Sequence, residues 1–121
     1  PCPSTMTAAD VQRLLDAGVT LIQSRNVVPV DAQAARATSR KGLGGFLPAS
    51  ATCVTPQLDF VDDSSVPDIP RYAIVWVVGY RIPGAVAGPG VLATPPSEQW
   101  TFVDAQSGVY LYGAFVSTVG G

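Results

Sequence analysis

Between residues 7 and 24 the apolar positions Val11, Leu14, Leu15 and Ile22 recur at helical spacing. They follow a start in which Thr7 is the N-cap and Asp10 holds the capping-box position. The spacing predicts a first helix reaching about Ser24, with Gly18 carried inside it. The alternative is a helix capped at Ala17, followed by a strand over residues 19–22; we adopt the longer helix. After Pro29, Asp31 offers a second N-cap ahead of Ala32-Gln33-Ala34-Ala35-Arg36-Ala37. This second helix covers about 31–41, and Gly42, Gly44 and Gly45 end it.

Beyond Phe46 the pattern changes from helical to alternating. Residues 52–55 and 58–61 form one β-prone stretch broken by Pro56, which predicts an edge strand or a bulge. In 71–81, Ile74, Trp76, Val78 and Tyr80 share one face and Ala73, Val75, Val77 and Gly79 the other. Both faces are apolar, so this strand is central and covered on both sides, or covered on one and packed against a second copy in a homodimer. Residues 82–98, rich in Pro and Gly, read as a long loop. Residues 99–103 and 109–112 bracket Asp104-Ala105-Gln106-Ser107-Gly108, a hairpin turn in which Asp104 accepts backbone N–H bonds and Gly108 takes positive φ. The whole predicts one α+β domain over 1–121: two N-terminal helices packed on an antiparallel β-meander of about four strands.

Composition narrows the function classes. The chain is 47% hydrophobic and 13% charged, which is incompatible with disorder over most of its length. A formal net charge of −2, with no basic run longer than Arg40-Lys41, excludes a nucleic-acid partner. No apolar run approaches the length of a transmembrane span. Two cysteines, Cys2 and Cys53, are read as one disulfide contributing about 4 kcal/mol in the chain-entropy model. The alternatives are two unrelated buried thiols, or Cys2 as a lipid-anchor residue. The bridge points to an extracellular or cell-envelope location, and the Ala-, Val-, Gly- and Arg-rich composition to a bacterial source.

Without histidine, Ser-His-Asp and Cys-His nucleophiles and histidine zinc sites are excluded. Cysteines fifty residues apart form no metal-ligand pair, and no cofactor is implied. Asp59, Asp62, Asp63 and Asp68 are the best candidate calcium ligands, although their spacing matches no EF-hand loop and solvated loop charge is the commoner explanation. Pairing Glu98 with one of these Asp residues as a glycosidase-like couple has no support in spacing. Trp76, Tyr80, Trp100, Tyr110 and Tyr112 are the candidate binding residues, with Tyr110 and Tyr112 on one face of the last strand. Their plainer role is sheet core.

The Asp31-capped helix, the strand ending Leu58-Asp59-Phe60, the strand 72–80 and the run Thr101-Phe102-Val103-Asp104-Ala105-Gln106-Ser107-Gly108-Val109-Tyr110 follow in an order that resembles PepSY-like domains. Val103, Asp104, Ala105, Ser107 and Gly108 match that family's hairpin pattern. The likeness covers about 30–116 and departs from the family in the 82–98 insertion and in lacking an acidic cluster at the helix start. It implies an extracytoplasmic, non-enzymatic module associated with peptidase regulation. The expected function is therefore a secreted or surface-anchored module recognising a protein or peptide through a strand edge or an aromatic face. The alternatives are a small-molecule carrier holding ligand between the first helix and Trp76, Tyr80 and Trp100, and a self-assembling structural domain.

Overall fold

A computed structural model describes residues 2–82 and 97–116. The chain runs α1 (Ala8–Asp16), β1 (Val19–Gln23), α2 (Ala32–Leu43), a 3-10 turn (Gly44–Phe46), β2 (Thr52–Cys53), β3 (Gln57–Ser64), β4 (Ile74–Arg81), β5 (Glu98–Asp104) and β6 (Tyr110–Val116). The fold is α+β, as expected, but two details differ. The sheet has six strands, because β1 and β2 extend the meander β3-β4-β5-β6. The helices are also not consecutive, since β1 lies between them.

Gly18 is the reason for that second correction. The Thr7 capping box forms as read, with Thr7 Oγ1 accepting from the Asp10 N–H and Asp10 accepting from the Thr7 N–H. The helix then stops at Ala17, and Gly18 takes φ +101°. That backbone region is open to glycine and closed to a helix interior, so the chain turns there and enters β1. Asp31 caps α2 through the Ala34 N–H, also as read.

The sheet is antiparallel in the order β1-β3-β4-β5-β6, with β2 beside β3 on the same edge of β4. The break at Pro56 thus separates two segments that both pair with β4. The second of them, β3, is interior rather than an edge, because β1 pairs along its other side. β4 is the central strand the alternation predicts. Val75 and Val77 pack with Leu14 of α1, Val61, Trp100 and Phe102 on one face, while Val78 and Tyr80 pack with Ala35 and Leu43 of α2 on the other. The two helices therefore cover opposite faces.

The β5–β6 hairpin forms as expected: Asp104 Oδ1 accepts from the Gln106 and Ser107 N–H groups, and Gly108 has φ +77°. Cys2 and Cys53 are bridged. Of the predicted 82–98 loop, residues 83–96 lie outside the described residues, and Glu98 opens β5. No described helix is long and apolar enough to cross a membrane.

Candidate functional site

The five aromatic residues singled out above do not assemble into one surface. Trp100 is fully buried on the α1 face, where its ring lies against Gly79, and Tyr80 is buried on the α2 face. Tyr110 and Tyr112 do not share a face either. A bulge opposite Phe102 and Val103 pairs Tyr112 with Phe102 and Tyr110 with Val103, so Leu111 absorbs the step and the two tyrosines split between the layers. Tyr110 packs its ring on Gly42 of α2. Burial, with the Tyr80 phenol nearby, raises its hydroxyl above the usual tyrosine range. Among the described residues Trp76, Tyr80 and Trp100 do not meet against α1: Leu14, Trp100 and Phe102 pack together on the α1 side, and Trp76 and Tyr80 lie on the other face.

Trp76 reaches an opening. It is half-buried on β4 opposite Leu58 of β3, and its indole N–H donates to the Val30 carbonyl at 2.7 Å. Trp76 and Leu58 belong to an open cleft of about 470 Å³. One wall is Gln23-Ser24-Arg25-Asn26, where β1 runs out; the other is Thr55-Pro56-Gln57, with Thr5 and Met6 alongside. The walls are pinned by backbone bonds: the Ser24 N–H donates to the Leu58 carbonyl and the Thr55 N–H to the Ser4 carbonyl, each at 2.8 Å. The Ser24 hydroxyl accepts from the Asn26 N–H. The lining offers two carboxamides on one side and one on the other, three hydroxyls and a single charge, the exposed Arg25. Arg25 has no ion-pair partner among the described residues.

The same sheet face carries an uncovered apolar surface beyond α2. Ile22 and Phe60 are cross-strand partners, and Phe60 stacks on Tyr72 at 6.0 Å between ring centres. Ile22 and Tyr72 are 52% and 60% exposed, large values for such side chains. Tyr72 holds φ +71°, a region that bulky residues avoid, and the Arg71 guanidinium lies 4.7 Å from its ring centre. The sequence reading missed this surface because Tyr72 was counted as an ordinary strand residue. It missed the cleft walls because a first helix reaching about Ser24 takes in Gln23 and Ser24. The signal that would have recovered them was Gly18, through the shorter-helix alternative.

The acidic residues also scatter. Among the described residues no group of His, Cys, Asp or Glu is arranged to hold a metal ion. Asp63 and Asp68 are exposed, whereas Asp59 is buried on the α1 face with one oxygen accepting from the Gln57 amide at 2.9 Å and the other unpartnered. Burial pushes its pKa up to about 6, against the opposing Gln57 hydrogen bond. Glu98 pairs with none of the four; it sits in a closed cluster with Arg13, Arg81 and Asp10.

A raised carboxyl pKa makes folding favour the protonated acid. The stability that Asp59 contributes is therefore greatest below the unfolded value of about 4 and declines as pH rises to about 6, then levels. Asp59→Asn is expected to stabilise the domain at pH 7 by about 1–3 kcal/mol and to flatten that decline. Urea midpoints measured from pH 4 to 7 check it. A variant with the wild-type slope would show that Asp59 is not its source.

No protein-family model, curated protein or solved structure matches the chain. The reading of function therefore stands on the site itself.

Proposed function

We propose that this chain is a non-enzymatic binding module that recognises an extended protein or peptide segment in the Trp76 cleft. The observation that carries the reading is the cleft's make-up: an indole and a leucine between walls of carboxamide, hydroxyl and backbone groups. Amide side chains pair with the N–H and C=O groups of a peptide in both directions. An indole gives a partner's apolar side chain a large contact area at little entropic cost. The exposed Ile22–Phe60–Tyr72 surface on the same face supplies further apolar area for a longer partner. With Arg25 as the single charge in the lining, the favoured segments are neutral or acidic. An extracytoplasmic setting and the regulatory role implied by the PepSY-like hairpin agree with this reading, and the Cys2–Cys53 bridge supports that location.

Strand addition is the second mode, and its natural edge is β6, the last strand in the sheet order. The cleft is preferred because it adds side-chain selectivity to main-chain contacts. A carrier function has less support, since among the described residues Trp100 packs with Leu14 and Phe102 on the α1 side while Trp76 and Tyr80 lie on the other face.

The test is selection from a displayed library of random twelve-residue peptides, followed by affinity measurement on variants. Arg25→Ala and Gln57→Ala are each expected to weaken the selected peptides by roughly tenfold, a loss of about 1.4 kcal/mol. Tyr112→Ala, on the opposite face, should leave affinity unchanged. Circular dichroism confirms that each variant is folded. Equal affinities for wild type and both cleft variants would overturn the reading.

A further inference from the structure

We propose that the Cys2–Cys53 bridge is a thiol-exchange site: an external low-molecular-weight thiol adds to Cys2, and Cys53 departs as a thiolate held by Arg36. The Arg36 guanidinium, projecting from α2, donates through Nη2 to the Cys53 sulfur at 3.5 Å. Arg36 has no carboxylate partner among the described residues, so its charge is not neutralised by an ion pair. Both cysteines are half-buried rather than sealed in the core. Among the described residues a guanidinium lies on the Cys53 sulfur and none on the Cys2 sulfur, and that difference decides which one is attacked.

In exchange, the incoming thiolate gives an electron pair to one sulfur as the old S–S bond breaks, and the bonding electrons leave on the other sulfur. A leaving thiol of lower pKa leaves faster. A guanidinium in hydrogen-bond reach of a sulfur favours its thiolate over its thiol. The Arg36 contact therefore makes Cys53 the better leaving group and directs attack to Cys2. The attacking thiol loses its proton to solvent beforehand, the new bond joins its sulfur to Cys2, and Cys53 carries the negative charge beside Arg36. Electrons balance without an oxidant or reductant beyond the thiol.

The backbone favours the same direction. Cys53 lies in β2, paired with Tyr80, and the next residue's N–H donates to the Gly79 carbonyl at 2.8 Å, so the departing thiolate stays in place under Arg36. Cys2 lies in a segment outside the strands and helices, joined to the sheet edge by the Ser4–Val54 bridge. That segment can carry an adduct without disturbing a strand. The proposal is independent of the peptide-binding reading.

Reduced glutathione is the probe, added to the folded, oxidised protein, with acid quenching and peptide mass spectrometry to place the adduct. The expected result is glutathione on Cys2 with Cys53 free. Arg36→Gln, which keeps a good helix former in α2, should slow adduct formation roughly threefold or more, and Arg36→Lys should retain most of the rate. Simple destabilisation of the fold would speed exchange, the opposite sign. An adduct on Cys53, or a rate in Arg36→Gln equal to or above wild type, would overturn the proposal.

Discussion

Replacing Arg81 by methionine is expected to destabilise the domain by about 3–5 kcal/mol, the usual consequence of removing one partner from a buried ionic group. Arg81 Nη2 donates to Asp10 Oδ2 at 2.7 Å, and its Nη1 donates to both Asp10 and Glu98. Arg13 closes the group, with Nε on Glu98 at 2.9 Å and Nη2 on Asp10. The Asp10 and Glu98 side chains are 0% and 5% exposed, so methionine would leave two buried carboxylates facing the one remaining cation, Arg13. Burial alone would raise the Asp10 pKa, but hydrogen bonds from Arg81 and from Thr7 outweigh it and hold the carboxyl far below its usual range. A lowered carboxyl pKa contributes stability above about pH 4 that is lost progressively in stronger acid.

Arg81→Met should therefore be weaker than wild type at pH 7, and the gap should narrow as acid protonates the carboxylates. Urea unfolding at pH 7 and pH 3 tests both parts. A variant within about 0.5 kcal/mol of wild type at pH 7 would show the cluster to be a solvated surface pair instead. Joining α1 to the sheet in this way also fixes the end of the segment that carries Thr5 and Met6 to the cleft.

Trp100→Ala is the second large effect, about 3–5 kcal/mol of lost stability from truncating a fully buried aromatic. The mechanism is checkable through its neighbour. Gly79 lies under the six-membered ring of the indole, where an added Cβ would meet the ring directly. Gly79→Ala alone should then lose about 1–3 kcal/mol through overpacking. Trp100→Phe removes the part of the indole in the way, so Gly79→Ala in that background should lose clearly less. A double-mutant cycle on the pair should give a coupling of about 0.5 kcal/mol or more. Additive losses would mean that the close approach is relieved elsewhere.

Where local chemistry decides, the residues were readable in order. Thr7 and Asp10, Asp31 and Ala34, and Asp104 and Gly108 lie within four positions of one another, and each forms the contact its spacing predicts. The two-sided apolar pattern of β4 likewise announces a strand between two layers. Gly18 shows the limit of such reading. A glycine between apolar residues fits a helix and a helix stop alike, and the choice is made by β3, forty residues away, which pairs with β1.

Tertiary pairing also hid the candidate site. Gln23 and Asn26 meet Thr55 and Gln57 across the cleft only because β1 ends opposite Asp59 while β3 runs on to Gln57. The split between Tyr110 and Tyr112 comes from a bulge that alternation cannot foresee. Arg13 and Glu98, 85 positions apart, gave no sign of pairing. Amide side chains carry little chemical signature in a sequence, whereas aromatic ones attract notice even when, like Trp100 and Tyr80, they are buried.

The most direct test of peptide recognition in the Trp76 cleft is an amide NMR titration of the folded protein with a library-selected peptide, following backbone N–H and indole signals together. The account predicts shifts concentrated at residues 23–26 and 55–58 and at the Trp76 indole N–H, with the buried Trp100 indole unmoved. Shifts concentrated along β6 at 110–116, with the Trp76 indole unchanged, would contradict it and assign recognition to strand addition.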